Sequence, residues 1–328
     1  MGIDMTKVVR VAAYGGPEVL KLESTSLPAP GAGEVTIEHK AIGLNYIDTY
    51  FRSGAYQAPS MPFTPGNEGA GIVKAVGAGV TGLKPGDRVA YVGTLGAYAT
   101  DRNIAATALV KLPAKVSFET AAAMMLKGLT AEYLLFRTFK VKAGHTVLIH
   151  AAAGGTGTLL VQWAKALGAT VIGTVGSAEK AKLAKKYGAH HVINYNTEDF
   201  AARVKEITKG GLCDVVYDGV GKATFPASLD CLKPFGTFVS FGSASGAVEA
   251  FDIGLLAKKG SLFATRPTLF THIGNPKTYA AMARRLFATV GKGTVKVPID
   301  QRFPLDKVVD AHVALESRKT TGSTVLLP

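Results

Sequence analysis

The chain has 328 residues, of which 47% are hydrophobic and 19% charged, with a mean hydropathy of +0.21 and a formal net charge of +13. That composition excludes a disordered chain, and no apolar run reaches the roughly 18 residues needed to cross a bilayer. The length suits one large or two ordinary domains. The positive charge is dispersed (Lys180, Lys182, Lys185, Lys186, then Arg284, Arg285, then Arg318, Lys319). No basic arm or aromatic-interleaved basic stretch marks a nucleic-acid surface, and an anionic cofactor or plain solubility accounts for the charge. Met1–Val11 carries Asp4, Lys7 and Arg10 and no apolar signal core, so a cytoplasmic location is expected. The two cysteines, Cys213 and Cys231, read as buried free thiols at a strand start and a helix end, and no Cys/His cluster has metal-site spacing.

From Lys7 to about Pro113 the chain alternates with a period of two between Gly/Pro turns. Strands are predicted at Glu34–Ile42, Gly71–Val76, Arg88–Val92 and Ala97–Thr100, which points to a small antiparallel barrel or sandwich. Ser117 is a candidate N-cap for a helix. Between His145 and Arg266, strands (Thr146–Ile149, Thr170–Thr174, His191–Tyr195, Asp214–Tyr217, Thr237–Phe241) alternate with helices (Thr158–Leu167, Ala178–Tyr187, Phe200–Thr208). Such βαβα order argues for a doubly wound parallel sheet, an α/β fold. Gly260–Arg266 reads as the edge strand, which invites two-fold pairing into a homodimer. The tail carries helices at Tyr279–Thr289 and Asp306–Ser317, a strand-like Val295–Ile299 and a terminal strand at Thr324–Leu327, and is expected to return to the first domain.

His150-Ala-Ala-Ala-Gly-Gly-Thr-Gly157 lies between a predicted strand and helix. A dinucleotide needs a tight turn there, close phosphate approach and close helix–sheet packing. Ala153, Gly154, Gly155, Thr156 and Gly157 meet these needs, although Ala152 stands where the usual pattern has its first Gly. The next strand ends Gly173-Thr-Val-Gly-Ser177 without the carboxylate that holds the ribose hydroxyls of NAD, Glu179 falling already within the helix. Gly176 and Ser177 with Lys180 nearby suit a ribose phosphate, hence NADPH. Lys180 as one more solvated lysine is the plainer alternative.

The segments Pro65-Gly-Asn-Glu-Gly-Ala-Gly71 and Gly86-Asp-Arg-Val89 resemble the medium-chain dehydrogenase/reductase superfamily. Its zinc alcohol dehydrogenases carry Gly-His-Glu where this chain has Gly66-Asn67-Glu68, and no cysteine precedes Cys213, so no metal site is expected. Without a Lewis acid, a substrate already activated by conjugation is favoured: a quinone or an enone. Tyr14–Val19, Ala41–Tyr50, Arg52-Ser-Gly54, Leu126–Thr130, Gln162–Gly168 and Leu315–Arg318 are similar to the zinc-independent quinone oxidoreductases, the group of zeta-crystallin and its bacterial NADPH-dependent relatives.

The resemblance implies a GroES-like, mainly β substrate domain (1–127 and 268–328), a Rossmann domain (128–267), and the cofactor in the cleft. It implies Asn45 and Thr130 near the nicotinamide, and Gly176, Lys180, Tyr195 and Arg318 around the adenosine phosphate. Phe241, Gly242 and Arg266 would lie along the cofactor channel, and Tyr50 is a candidate hydrogen-bond donor to substrate. Local roles compete with each of these. Asn45 and Asp48 are good helix caps, Tyr50 could be a core tyrosine, Thr130 a helix residue, and Arg318 a solvated charge at a helix end. His150 reads as a structural histidine rather than an acid. The expected activity is NADPH-dependent quinone reduction. An alkenal or enoyl reductase, and an NADPH-binding protein with an RNA-binding or structural role, are the alternatives.

Overall fold

The computed structural model describes residues 5–317 and 320–328. In chain order, an antiparallel hairpin of β1 (Met5–Arg10) and β2 (Lys21–Ser26) opens the fold. Then come β3 (Glu34–Leu44), α1 (Tyr46–Ser53), β4 (Glu68–Val76), β5 (Arg88–Val92), β6 (Asp101–Ala105), β7 (Leu109–Lys111) and α2 (Phe118–Tyr133). The alternating segment follows as β8 (Thr146–Ile149), α3 (Gly155–Ala166), β9 (Thr170–Val175), α4 (Ala178–Lys186), β10 (His191–Asn194), α5 (Phe200–Ile207) and β11 (Cys213–Asp218). It continues with β12 (Leu232–Ser240), α6 (Gly254–Lys258), β13 (Phe263–Thr265) and α7 (Leu269–Ile273). α8 (Pro276–Gly291), β14 (Ile299–Pro304), α9 (Val308–Glu316) and β15 (Ser323–Leu327) complete the described chain.

The chain divides into two compact units. One comprises the described residues through Lys127, Pro276–Gly291 and those of Val297–Pro328; the other comprises Gly128–Asn275 and Lys292–Lys296. The first holds a mainly antiparallel sheet ordered β14-β15-β3-β4-β5-β7, with β6 paired to β3. Its core gathers Val35, Ile37, Ile42, Val73, Val89 and Tyr91, the inward residues of three neighbouring strands. The second holds a six-stranded sheet ordered β10-β9-β8-β11-β12-β13, parallel throughout. Strand order reverses between β8 and β11, the switch point outside whose carboxyl ends nucleotides bind in such sheets.

Local chemistry explains these elements. The Ser117 hydroxyl accepts the Thr120 N–H at 3.1 Å and starts α2. The Asp199 carboxylate accepts the N–H groups of Ala201 and Ala202 and starts α5. α4 buries only Ala184 and stops before Gly188 at φ +111°.

Two expected strands are displaced. Ala97–Thr100 is not a strand; its pairing is a single bridge of Ala99 to Val8, and the strand is β6, a few residues later. Ala97, Tyr98 and Ala99 are all buried, so consecutive residues do not alternate between two faces. Val295–Ile299 is likewise irregular until Ile299, where β14 pairs with β15. Cys213 and Cys231 are buried free thiols in the core of the second unit.

Candidate functional site

The parallel sheet delivers one sequence-predicted segment from the carboxyl end of nearly every strand. Ala153–Gly157 follow β8, Gly176–Lys180 follow β9, and Tyr195 follows β10. Phe241 and Gly242 follow β12, and Arg266 follows β13. Arg318 lies outside the described residues.

The turn after β8 is tightly specified. Ala151 sits at φ +52°, a conformation that costs energy for any residue with a Cβ. A Cβ at Gly157 would lie 2.2 Å from the Ala151 carbonyl oxygen and 2.9 Å from Ala152 Cα. α3 begins at Gly155 with Gly154 as N-cap and no side-chain cap, which leaves its first N–H groups to an anion. This fits a dinucleotide pyrophosphate. The turn after β9 has a similar constraint, since a Cβ at Gly176 would lie 2.6 Å from the Tyr195 hydroxyl.

Beneath these turns runs a polar network that the sequence did not announce. The buried Asp218 carboxylate accepts the N–H groups of Val220 (2.7 Å) and Gly221 (3.0 Å) on one oxygen and the Thr224 hydroxyl (2.7 Å) on the other. Ser228 joins Asp218 to His150 Nε2 at 3.0 Å, and His150 Nδ1 meets the Thr174 hydroxyl at 2.8 Å. Burial pushes the His150 imidazole below its ordinary range, against the pull of Asp218, and keeps it neutral. It therefore ties β8, β9 and β11 together, the structural role expected of it.

In the other unit, Asn45 precedes α1. Its backbone N–H is accepted by Asp48 Oδ2 at 2.9 Å, so the capping role is real. Its side chain does something else: Nδ2 donates to Glu68 Oε1 at 2.6 Å. Glu68 also accepts the Leu126 N–H at 2.6 Å and faces Lys127 Nζ at 3.5 Å. Burial raises the Glu68 carboxyl, opposed chiefly by Lys127. Tyr50 lies on α1 with Tyr46 and Tyr56 as ring neighbours, at 6.5 and 5.3 Å between centroids. Thr130 is buried in α2 within the nucleotide unit.

A second buried chain starts at Asp48. Its Oδ1 accepts Asn67 Nδ2 at 2.8 Å, and its Oδ2 accepts the Tyr98 hydroxyl at 3.1 Å. Tyr98 in turn meets His312 Nε2 at 3.0 Å, and Arg52 donates to His312 Nδ1 at 3.1 Å. Arg52 has only protons to give, so His312 carries its hydrogen on Nε2 and every bond points toward Asp48. Arg52 ends the chain in a bidentate pair with Glu316 at 2.7 and 2.8 Å.

These groups set an acid sensitivity. Burial raises Asp48 to about 6, and burial with Arg52 lowers His312 to about 3. Burial with Arg102 lowers His39 to about 3 as well, its Nδ1 donating to the Ala99 carbonyl and its Nε2 accepting from Tyr91. The unfolded chain protonates both imidazoles near 6.5 while the fold refuses them, so their contribution is present above pH 6.5 and falls away between there and about 3. Asp48 works oppositely: its contribution is greatest below 3.8 and is lost as pH rises through about 6. Two histidines outweigh one aspartate, so these three groups together lower stability from pH 6.5 toward 4. His312→Asn, which keeps a donor and an acceptor but cannot titrate there, is expected to flatten the slope of urea-unfolding free energy against pH. An unchanged slope would contradict this assignment.

The residues at position 67 do not fit zinc. The Asn67 amide is neutral and uses its N–H on Asp48, whereas zinc takes thiolate, imidazole or carboxylate ligands. Among the described residues no group of three or more His, Cys, Asp or Glu is arranged to hold a metal ion.

A parallel sheet in this order, with an uncapped glycine turn at its switch point and a separate β unit, defines a dinucleotide-dependent oxidoreductase. Residues 31–142 match the alcohol dehydrogenase GroES-like domain and residues 155–288 the zinc-binding dehydrogenase domain. The chain is 53% identical to the quinone oxidoreductase of Pseudomonas aeruginosa, over 99% of this chain and all of that one. It is 50% identical to quinone oxidoreductase 1 of Escherichia coli, over 96% and 97% of the two chains. The crystal structure of the E. coli quinone oxidoreductase complexed with NADPH superposes with a TM-score of 0.96 at 49% identity, covering 98% of this chain and 100% of that one. The chain belongs to the quinone oxidoreductases of the medium-chain dehydrogenase/reductase superfamily.

Proposed function

We infer that this chain reduces quinones with NADPH and without zinc. The observation that carries the reading is the convergence of Ala153–Gly157, Gly176–Lys180, Tyr195, Phe241–Gly242 and Arg266 at the carboxyl ends of one parallel sheet. The uncapped amides at the start of α3 hold the pyrophosphate, and Lys180 with Tyr195 holds the ribose phosphate. Thr130 and Asn45 are assigned to the nicotinamide, and Tyr50 to the substrate oxygen. Bound NADPH supplies the reducing equivalents, by hydride or electron transfer from the nicotinamide to the conjugated carbonyl; delivered as a hydride, that is two electrons and a proton, they leave one further proton from water to complete the hydroquinone. The neutral donors of the chain stabilise charge developing on the quinone oxygen, the task a zinc ion would otherwise perform.

The test is binding of NADPH and NADH to the purified chain, followed by loss of NADPH absorbance with a simple quinone and with an alkenal, and metal analysis of the same sample. Quinone-dependent oxidation without bound zinc is expected, and Lys180→Ala should weaken NADPH by about tenfold while sparing NADH, the scale of one lost charge-assisted contact. Turnover confined to the alkenal, or stoichiometric zinc, would overturn the reading.

The same reading includes a homodimer. β13 pairs with β12 on one side, and its other edge is exposed, with Phe263 61% accessible. Such an edge is a template for two-fold pairing. Sedimentation should give a dimer for the unmodified chain and a monomer for Phe263→Lys, which would set two cations against each other. A dimer in both would place the interface elsewhere.

A further inference from the structure

Asn45 is held at both ends by buried carboxylates of its own unit. Its backbone N–H donates to Asp48 Oδ2 at 2.9 Å, and its side-chain amide donates to Glu68 Oε1 at 2.6 Å. Asp48 is wholly buried and receives donors on both oxygens. Oδ1 accepts Asn67 Nδ2 at 2.8 Å, and Oδ2 also accepts the Tyr98 hydroxyl at 3.1 Å. The chain of bonds behind Tyr98 has one direction. To accept from Asp48 and stay paired, the Tyr98 hydroxyl would have to turn to His312 Nε2, and the imidazole hydrogen would have to move to Nδ1. Arg52 Nη1 already donates to Nδ1 at 3.1 Å, and Arg52 is locked by Glu316 at 2.7 and 2.8 Å and by the Gly15 carbonyl at 3.1 Å. A proton on Asp48 has no acceptor in this arrangement, so one of its three pairings must break or turn to receive it. The bond to the Asn45 N–H would also lose the strength that a charged acceptor gives it.

We propose that Asp48 is a positioning residue for the reducing site: it holds Asn45 in its working geometry as a carboxylate and loosens it when protonated. The proposal rests on the assignment of Asn45 to the nicotinamide above and adds the residue that controls it. Burial raises the Asp48 carboxyl to about 6, with Glu68 adding to this as a like charge, and the donors from Asn67, Asn45 and Tyr98 oppose it. Asp48 is therefore ionised above about 6 and protonated below. The titratable groups that face it are Glu68 of β4, Tyr91 of β5 and Tyr98. His312, Arg52 and Glu316 follow in turn behind Tyr98, and Lys127 pairs with Glu68. A reduction that takes up a proton has no chemical reason of its own to slow in acid, so a falling acid limb reports a group of the protein.

Initial rates of NADPH-dependent quinone reduction by the full chain, taken from about pH 5 to about pH 8 at saturating NADPH, test this. Expected is a kcat/KM for the quinone that falls in acid through one ionisation near the value of Asp48. Asp48→Asn imitates the protonated form and should be about tenfold less active at neutral pH, without that limb. Tyr98→Phe takes one donor from the carboxylate and should move the midpoint up by about one pH unit. A merely structural defect, followed by urea unfolding of each variant, lowers activity at every pH and leaves the midpoint in place. No acid limb in the unmodified chain, an unmoved midpoint in Tyr98→Phe, or a limb that persists in Asp48→Asn would overturn the role of Asp48 while quinone reduction stands. If Asp48→Asn does not fold, the Tyr98→Phe midpoint decides alone. Failure of the unmodified chain to reduce a quinone with NADPH would remove the reading itself, and with it this proposal.

Discussion

Gly157→Ala is expected to abolish NADPH binding and to destabilise the fold by about 3 kcal/mol, the upper range for overpacking a close contact. The added Cβ would meet the Ala151 carbonyl at 2.2 Å and Ala152 Cα at 2.9 Å. Both are backbone atoms, and Ala152 is pinned because its N–H donates to the Thr174 carbonyl at 3.0 Å. Relief requires the start of α3 to move away from the end of β8, which removes the amides from the phosphate position. Gly154→Ala is the milder comparison for stability. Its Cβ has a single neighbour, the Ala151 carbonyl at 3.2 Å, and its φ of −79° suits any residue. Urea unfolding and NADPH titration of both variants decide the matter. Equal midpoints and affinities for Gly157→Ala and the unmodified chain would show that the turn relaxes and that close packing at Gly157 is not required.

Lys127→Met should cost about 3–5 kcal/mol, the range for stripping one partner from a buried ion pair. Glu68 is fully buried, and without Lys127 it keeps only the N–H of Leu126 and the amide of Asn45. Its carboxyl, already raised by burial, loses the main influence holding it down. The penalty should therefore grow with pH as the lone carboxylate is forced to ionise. The double variant Lys127→Met/Glu68→Gln removes the charge but leaves one carbonyl oxygen for the two donors of Asn45 and Leu126, so it should recover part of the loss. A double variant as unstable as Lys127→Met alone would mean that the lysine acts through packing rather than charge. Because Asn45 hangs on Glu68, quinone turnover of Lys127→Met should also fall, and should return with the double variant.

Much of the nucleotide unit was legible along the chain. A strand, a glycine turn and a helix are local events, set by backbone conformation and side-chain alternation within a dozen residues. Thr146–Ile149 is β8 with the same bounds, and each later strand was placed within a few residues. The absence of a carboxylate at the end of β9 could be read directly, and so could the loss of histidine at position 67. What escaped has no local period. β2 is exposed over nearly all its length, so it lacks the apolar alternation that reveals a strand. The segment 97–100 misled because all its apolar residues are buried without pairing into a ladder.

The parallel sheet, its glycine turn and the candidates that follow its strands can be read along the chain, because those depend on neighbouring residues. The long-range partners of buried polar groups cannot, because folding sets them. Arg52 meets Glu316 across 264 positions and Tyr98 meets His312 across 214. Burial and Coulomb forces act through space, so the protonation of Asp48, Glu68 and His312 depends on which distant groups the fold brings within about 3 Å.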